Sequence, residues 1–506
     1  MAITYSLLLS ILLPLIGVPL SYFAGKSLGK KTGWLTVVPL AISLVLLLGV
    51  AGSIYDSTQA LSYKEVIDWV PSIGLSFTLM ADGLSIWMLL TINLLCLGVT
   101  IYSMPYMEHR FQEWEHETHE HLGNSAWASY FAFYLLYTVG MLGCVMSTNM
   151  IQFYLFFELM LIPSWLLINN FGYGDRERIG MIYFMWTAVG AVILLVGILG
   201  AYSITNSFEI SSLSRLILNP KAPWIAFAIL FGFMTKMAVF GLHMWLPLAH
   251  AEAPTPISAL LSPAMIGIGG YASIRFVVVP MYPVFRDQFS GIFTLWALLT
   301  MVYGGLMALT QDDIKRFLAY SSISQMGYLF LGIASATPTG EAGAIFQYIS
   351  HGFGKCILFC VAGALISQTQ NRSIKKYGGL ADRMPWSAVL TLIGFFIIGG
   401  VPPTLGFMSK FLIFTGVFEA DLFMHPELLW AAVGGIIMTI LTIGYGLWTV
   451  RRVFYGPLPE NLKEVKEAPL IMLLPLFGFA LLAIILGIYP KLVTDYLIPF
   501  FQQTIG

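Results

Sequence analysis

The chain is poor in charge. Asp, Glu, Lys and Arg make up only 10% of its 506 residues, whereas apolar residues make up 58%. Ordinary soluble domains carry about 25% charged residues, so this composition excludes both a soluble globule and a disordered protein. The formal net charge of −1 provides none of the basic excess that binding to nucleic acid requires. The composition therefore indicates an integral membrane protein that does not bind nucleic acid.

Cysteine and cofactor-binding motifs are also scarce. The four cysteines lie inside long apolar runs, at Cys96, Cys144, Cys356 and Cys360. Two thiols four residues apart on a helix are more often packing groups than metal ligands. The sequence contains no haem motif, iron–sulfur spacing, Walker loop or dinucleotide fingerprint. We therefore expect no cofactor and no metal site on this chain.

What the chain has in abundance is long apolar runs, which predict about fourteen membrane spans of about 20 residues each. Every connection between them is short, so 1–506 is expected to be a single polytopic membrane domain. A spanning segment must satisfy its backbone polar groups internally, so the predicted fold class is an all-α integral membrane bundle. The predicted spans are 3–24, 34–54, 81–103, 127–147, 150–170, 180–203, 223–247, 256–280, 290–310, 317–336, 342–368, 385–418, 428–450 and 469–489.

The distribution of Lys and Arg between alternate connections predicts the orientation. One side collects sixteen of these residues and the other side collects five. Basic residues accumulate in cytoplasmic connections, so the richer side is predicted to face the cytoplasm. Both termini then lie on the outer, non-cytoplasmic side of a cell membrane or an organelle inner membrane.

Two predicted spans are interrupted by glycine and proline. The seventh contains Gly241 and Pro247, and the twelfth contains Gly400, Pro402 and Pro403. Proline removes a backbone donor, and the freed peptide groups are tolerated at membrane depth only inside protein or beside a wet cavity. Paired interruptions in two halves of a chain are typical of inverted repeats. We therefore predict two inverted five-helix repeats, helices 4–8 (127–280) and helices 9–13 (290–450), with helices 7 and 12 broken.

A few ionisable residues lie deep within these apolar runs. An ionised side chain at the bilayer centre costs roughly 2.5–3.5 kcal/mol, so such residues usually mark an ion or proton pathway. Burial favours the neutral amine of a lysine and a nearby carboxylate favours the ammonium, so a Lys beside a movable Glu can exchange protons. A static ion pair that sets helix register is the alternative. The deep residues are Glu158, Lys236, Lys355, Lys410 and, nearer the end of its span, Arg275.

Polar residues between the lysines could extend such a pathway. His351 and Lys355 are four residues apart and share one face of the eleventh span. Histidine titrates near neutral pH and can both donate and accept a proton. His243 and Gln325 are supporting candidates, although each polar residue alone could simply line the bundle.

These residues lie within stretches that resemble the antiporter-like membrane subunits of respiratory complex I, above all the subunit M type. Related subunits occur in Mrp cation/proton antiporters and in membrane-bound hydrogenase-type complexes. The resemblance covers nearly the whole chain. The matching stretches are Ala81-Asp-Gly-Leu-Ser, Phe156-Phe-Glu-Leu-Met-Leu-Ile-Pro163, Lys236 to Pro256, Asp313-Ile-Lys-Arg-Phe-Leu-Ala-Tyr-Ser-Ser322 and Pro402 to Lys410.

The resemblance implies fourteen helices, two inverted repeats and a proton path through Glu158, Lys236 and Lys410. The sequence departs from the family pattern at two positions. Gly267 stands where the family often has a lysine on the eighth helix, which leaves two alternatives: His351 and Lys355 supply the central step, or the subunit conducts poorly. Lys410 stands where subunit M of complex I commonly has Glu, which brings the hydrogenase-like and Mrp-like relatives closer.

The sequence therefore predicts a proton-translocating, antiporter-like subunit of a multisubunit redox-driven membrane complex. Its partners would be the other membrane and peripheral subunits, and any redox group would lie on those chains, so this subunit would have no redox site of its own. One alternative is an Mrp-type antiporter subunit in which Na⁺ uses the same cavity as the protons. The other is a non-conducting structural membrane subunit.

Overall fold

The computed structural model describes residues 4–56, 62–70, 75–119, 122–420 and 426–506. Most of these residues are helical, and one short hairpin is the only sheet among them. The helices are α1 Ser6–Leu28, α2 Thr32–Asp56, α3 Ile86–Thr118, α4 Gly123–Met146, α5 Met150–Phe171, α6 Arg176–Thr205, α7 Ala222–Met237, α8 Trp245–Glu252, α9 Thr255–Leu260, α10 Ile266–Ser273, α11 Tyr282–Gln288, α12 Ser290–Thr310, α13 Ile314–Ala334, α14 Pro338–Thr369, α15 Pro385–Gly399, α16 Leu405–Glu419, α17 Pro426–Phe454, α18 Leu470–Ile488 and α19 Lys491–Thr504.

The prediction of a helical integral membrane protein is confirmed. Among the described residues, eleven helical stretches are long and apolar enough to cross a membrane. Two shorter apolar helices, α7 and α15, stand directly before the two interruptions. The total of fourteen spans and the division into inverted repeats at 127–280 and 290–450 remain predictions.

The first interruption separates α7 from α8. Ala238 follows α7 with a left-handed φ of 57°, and Gly241 has a φ of 87°. Only glycine adopts such a conformation without steric cost, so Gly241 lets the chain turn before it resumes as α8. Pro247 lies in the first turn of α8, where its missing N–H is not needed. The interruption therefore precedes Pro247.

The second interruption separates α15 from α16. Gly400 ends α15 with a φ of 77°, and Pro402 and Pro403 follow it in the non-helical segment. The hydroxyl of Thr404 donates to the carbonyl oxygens of Phe396 and Val401, at 3.3 and 2.7 Å. The backbone groups released by the break are thus partly satisfied inside the bundle.

A hairpin that the sequence analysis did not predict lies at the end of the molecule that carries both termini. Strands β1 (Ser62–Val70) and β2 (Leu75–Asp82) pair antiparallel. The Glu65 carboxylate accepts hydrogen bonds from the first backbone N–H groups of α1, at Leu7 and Leu8, both at 2.9 Å. A Cβ on Gly83 would lie 2.4 Å from the carbonyl oxygen of Tyr496 in α19. We call this side the terminal end.

The opposite side carries the connections that are rich in Lys and Arg, and we call it the basic end. Asp313 caps α13 there, because its carboxylate accepts from the backbone N–H groups of Lys315 and Arg316, both at 2.9 Å. Arg372, on the connection after α14, donates to the carbonyl of Ala251 at 2.6 Å.

Helix α14 forms the axis of the bundle. It is buried from Gly340 to Leu365 and packs against α3, α9, α13, α15, α16, α18 and α19. Helix α10 and the π-helical segments on either side of it, Leu261–Met265 and Ile274–Val278, are also buried throughout. Polar groups on these elements therefore face protein rather than lipid.

Candidate functional site

Glu158 and Lys236 form the first group of buried ionisable residues. Glu158 is half-buried on α5, and its Oε1 has no hydrogen-bond partner among the described residues. The Lys236 side chain is only 1% exposed, its Nζ lacks a partner, and it stands 5.1 Å from the ring centroid of Phe157. The two side chains interact electrostatically, yet they do not form a direct ion pair with each other. This geometry does not support a static ion pair that sets helix register.

His243 lies in the interruption between α7 and α8. Its Nδ1 accepts a hydrogen bond from the backbone N–H of Gly241 at 3.1 Å, and its Nε2 is buried without a partner. Its ring packs 4.7 Å from the ring of Tyr303 on α12. The broken backbone thus fixes the orientation of this histidine and leaves one ring nitrogen available.

Lys355 and His351 lie one turn apart on α14, as their spacing predicted. Lys355 is fully buried and donates to the carbonyl oxygen of Leu318 at 2.9 Å and to the hydroxyl of Ser321, both on α13. Both ring nitrogens of His351 are buried, and neither has a hydrogen-bond partner in the described part of the chain. The amine and the imidazole interact electrostatically across this turn.

Sequence reasoning missed two members of this group, His250 and Lys315. His250 on α8 is fully buried, both of its ring nitrogens lack partners, and it interacts electrostatically with Lys315, Lys355 and His351. Lys315 was assigned to a connection, yet it is only 1% exposed and donates to the carbonyls of Ala251 and Ala253. The seven-residue spacing between His243 and His250 was the sequence pattern that could have identified His250 as a candidate.

A second polar group links α13, α14 and α16. The amide of Gln347 donates to Gln325 at 3.0 Å, and the hydroxyl of Ser409 donates to Gln347 at 2.7 Å. The side chain of Tyr445 interacts with both Ser321 and Gln325. This group therefore extends from the partner of Lys355 to the residue that precedes Lys410.

Lys410 lies beyond this group, on the helix that follows the second interruption. Its Nζ donates to the carbonyl of Ile398 at 2.9 Å, near the end of α15, and stands 4.2 Å from the ring centroid of Tyr328. Its side chain is 4% exposed. Among the described residues no carboxylate lies within ion-pair distance, so a backbone carbonyl and an aromatic face surround this amine.

The position of the missing family lysine is occupied by an aromatic ring. A Cβ added at Gly267 would lie 2.1 Å from Cδ2 of Tyr348. The Tyr348 hydroxyl donates to the carbonyl of Ala264 at 3.0 Å, which fixes the ring in place. A long side chain therefore has no room at Gly267, and the central titratable groups lie on α14 and α8 instead.

Arg275, which the sequence places among the deep ionisable residues, forms an ion pair. Its two terminal nitrogens donate to the two carboxylate oxygens of Asp82, each at 2.7 Å, and its Nε donates to the Tyr271 hydroxyl at 3.2 Å. Asp82 also accepts from the backbone N–H of Ser85 at 3.0 Å, which closes the turn before α3. Arg275 thus joins the hairpin to the helical bundle and lies apart from the lysine series.

The arrangement places buried bases and acids in sequence from α5 to α16. Glu158 and Lys236 come first, His250, His351 and Lys355 occupy the centre, and Gln325 and Gln347 lead to Lys410. Among the described residues, the Lys236 amine has no hydrogen bond to a member of the central group. Amines and imidazoles in low-polarity surroundings can change protonation state with little driving force.

Comparison with known proteins identifies the family of the chain. The family model described as "NADH:quinone oxidoreductase/Mrp antiporter, TM" matches residues 147–439, and that of "NADH-Ubiquinone oxidoreductase (complex I), chain 5 N-terminus" matches 69–115. NADH-quinone oxidoreductase subunit M of Rhodobacter capsulatus is 32% identical over 94% of this chain and 91% of its own length. F(420)H(2) dehydrogenase subunit M of Methanosarcina mazei is 31% identical over 97% and 96%.

A solved structure shows the same fold. A chain of respiratory complex I from Thermus thermophilus superposes with a TM-score of 0.83 at 25% identity, covering 99% of this chain and all of its own length. The matches define a class, the antiporter-like polytopic membrane subunits. This chain belongs to the NADH:quinone oxidoreductase/Mrp antiporter family of such subunits, as its sequence motifs predicted.

Proposed function

We propose that this chain is a proton-translocating, antiporter-like subunit of a redox-driven membrane complex. The observation that carries the proposal is the series of buried, incompletely partnered bases from Lys236 through Lys355 to Lys410. A purely structural subunit gains nothing from burying amines in this way, since each one costs roughly 2.5–3.5 kcal/mol at membrane depth. The relatives named as subunits of NADH-quinone oxidoreductase and F(420)H(2) dehydrogenase support the link to a redox complex.

The basic end is proposed to face the cytoplasm. The support is the excess of Lys and Arg in the connections on that side. The terminal end, with the hairpin and α19, then faces the non-cytoplasmic side. Protons would therefore enter from the side of Lys315 and leave from the side of α19.

The proposed transfer begins with a change in the separation of Glu158 and Lys236. Moving the carboxylate closer favours the ammonium, and moving it away favours proton release. His250, His351 and Lys355 form the central acceptors, and the amides of Gln325 and Gln347 lead towards Lys410. Each step transfers one proton from a protonated base to a neutral base, so no bond other than N–H changes.

Partner subunits are proposed to supply the driving force. This chain lacks the sequence motifs that hold haem, iron–sulfur clusters or dinucleotides. Electron transfer is therefore assigned to other subunits, whose conformational or electrostatic changes would alter the Glu158–Lys236 separation. The other membrane and peripheral subunits of the complex are thus its proposed partners.

The test is a Lys236→Met variant in the intact complex, reconstituted into proteoliposomes. NADH and a short-chain quinone serve as electron donor and acceptor, and proton transport is measured per electron transferred. Lys221→Met is the matched control, since Lys221 is exposed at the start of the same helix. We expect Lys236→Met to lose proton transport through this subunit and Lys221→Met to keep it.

Wild-type transport in an assembled Lys236→Met complex would refute the proposal and favour a structural subunit. Repeating the measurement at several Na⁺ concentrations, with and without a protonophore, identifies the transported ion. Na⁺ transport that depends on the proton gradient, and stops when the protonophore collapses that gradient, would support the Mrp-type alternative.

A further inference from the structure

One buried carboxyl group takes no part in the pathway described so far. Glu341 lies in the first turns of α14 and is fully buried. Neither of its carboxylate oxygens has a hydrogen-bond partner among the described residues. A carboxyl group without a cation or donor is far less costly to bury as the neutral acid than as the anion. Such an isolated group inside a membrane bundle is a functional candidate by default.

Glu341 lies nearer the terminal end than Lys410. On α14 it precedes Gln347 by six residues, or about 9 Å at the helical rise. Gln347 is bonded to Ser409, the residue before Lys410. A Cβ on Gly343 would lie 2.6 Å from the backbone nitrogen of Ile413, so α14 and α16 run side by side at this level. The carboxyl group is therefore about one and a half helical turns beyond the last lysine.

On its far side Glu341 approaches a residue that reaches the surface. Tyr282, half-buried on the short helix α11, interacts electrostatically with Glu341. The Tyr282 hydroxyl donates to the carbonyl of Ala336, in the connection just before α14, at 2.8 Å. The guanidinium of exposed Arg286 stands 5.9 Å from the Tyr282 ring centroid. Glu341 thus lies between the buried lysine and polar groups at the surface of the terminal end.

We propose that Glu341 is the exit group of the pathway, which takes a proton from the Lys410 region and releases it at the terminal end. The inference rests on the proposed function of the chain. At rest Glu341 is the neutral acid; it releases its proton past Tyr282, and the resulting carboxylate takes a proton from the Lys410 ammonium, which leaves a neutral amine and restores the acid. The unpartnered oxygens allow this, because a carboxylate fixed by an Arg or Lys would hold its charge.

The experiment compares Glu341→Gln and Glu341→Asp in the intact complex, again with NADH and a short-chain quinone in proteoliposomes. Glu419→Gln is the matched control, since Glu419 is exposed at the end of α16 on the same side. We expect Glu341→Gln to lose the same fraction of proton transport as Lys236→Met. Glu341→Asp should retain more transport than Glu341→Gln, and Glu419→Gln should match the wild type.

The order of the two variants separates a proton-transfer role from a packing role. Gln preserves the size of the side chain, so a packing role predicts that Gln is tolerated better than Asp. Wild-type transport in assembled Glu341→Gln, or a Gln variant that transports better than the Asp variant, overturns the inference. If Glu341→Gln does not assemble, the pH profile of transport by Glu341→Asp decides: a profile shifted from that of the wild type supports the inference, and an unshifted profile overturns it.

The two proposals fail in different ways. Loss of transport in Lys236→Met together with normal transport in Glu341→Gln would overturn the exit group alone. Normal transport in both variants would overturn the proposed function itself.

Discussion

Removing one member of the Asp82–Arg275 pair should destabilise the protein strongly. The substitution Asp82→Asn leaves the Arg275 guanidinium buried, with its side chain only 9% exposed, opposite a neutral amide. Two charge-assisted hydrogen bonds of 2.7 Å are weakened. Each such bond contributes about 1.5–3 kcal/mol, and breaking a buried pair from one side typically costs about 3–5 kcal/mol. We expect a loss of about 3–5 kcal/mol in the free energy of unfolding.

The assay is a double-mutant cycle of Asp82→Asn, Arg275→Met and the combined variant. The fraction of intact complex is followed after heating in detergent. Because the combined variant leaves no buried charge uncompensated, we expect it to lose less stability than the sum of the single variants. Arg286→Met is the control: its pair with Asp287 is more than half exposed, and such surface pairs contribute about 0–1 kcal/mol.

Two outcomes would refute this reasoning. One is a loss below about 1 kcal/mol for Asp82→Asn, the range of a surface pair. The other is strict additivity in the cycle, which would mean that the two side chains do not interact.

Two further predictions concern Gly267 and Lys410. Gly267→Ala places a Cβ 2.1 Å from the Tyr348 ring, so overpacking should cost about 1–3 kcal/mol and lower the yield of assembled complex. Gly444→Ala is the control, because no atom lies within 4 Å of the added Cβ and the yield should stay normal; equal yields for the two variants would contradict the account of the missing lysine. Lys410→Arg keeps the positive charge, but an arginine does not release its proton, so the assembled complex should lose proton transport. Lys463→Arg is the control, because Lys463 is exposed and transport should stay normal. Normal transport in Lys410→Arg would exclude Lys410 from the pathway.

The hairpin shows how local patterns can mislead. In β1 the charged Glu65 is buried at 7% exposure, while the adjacent Val66 is 57% exposed. This reverses the usual alternation of apolar and polar faces on a strand, because Glu65 caps α1 and is therefore drawn inwards. The segment therefore looked like a connection and not a strand.

The sequence alone determined the class of the protein, the course of its apolar helices, the interruptions near Gly241 and Gly400 and the depth of the lysines. These properties follow from hydropathy and backbone chemistry, which act along the chain. Depth could be inferred for Lys236, Lys355 and Lys410 because each lies far inside an apolar run. The family motifs supplied the rest of the expected pathway.

Only the tertiary structure decided which helix faces meet. A membrane helix is apolar towards lipid and towards its neighbours, so its sequence carries little information about rotation. Asp82, the partner of Arg275, is 193 positions away in the sequence, so the pairing could not be predicted from it. For the same reason, the ring of Tyr348 over Gly267, the approach of His250 to Lys355 and the isolation of Glu341 emerged only from helix packing.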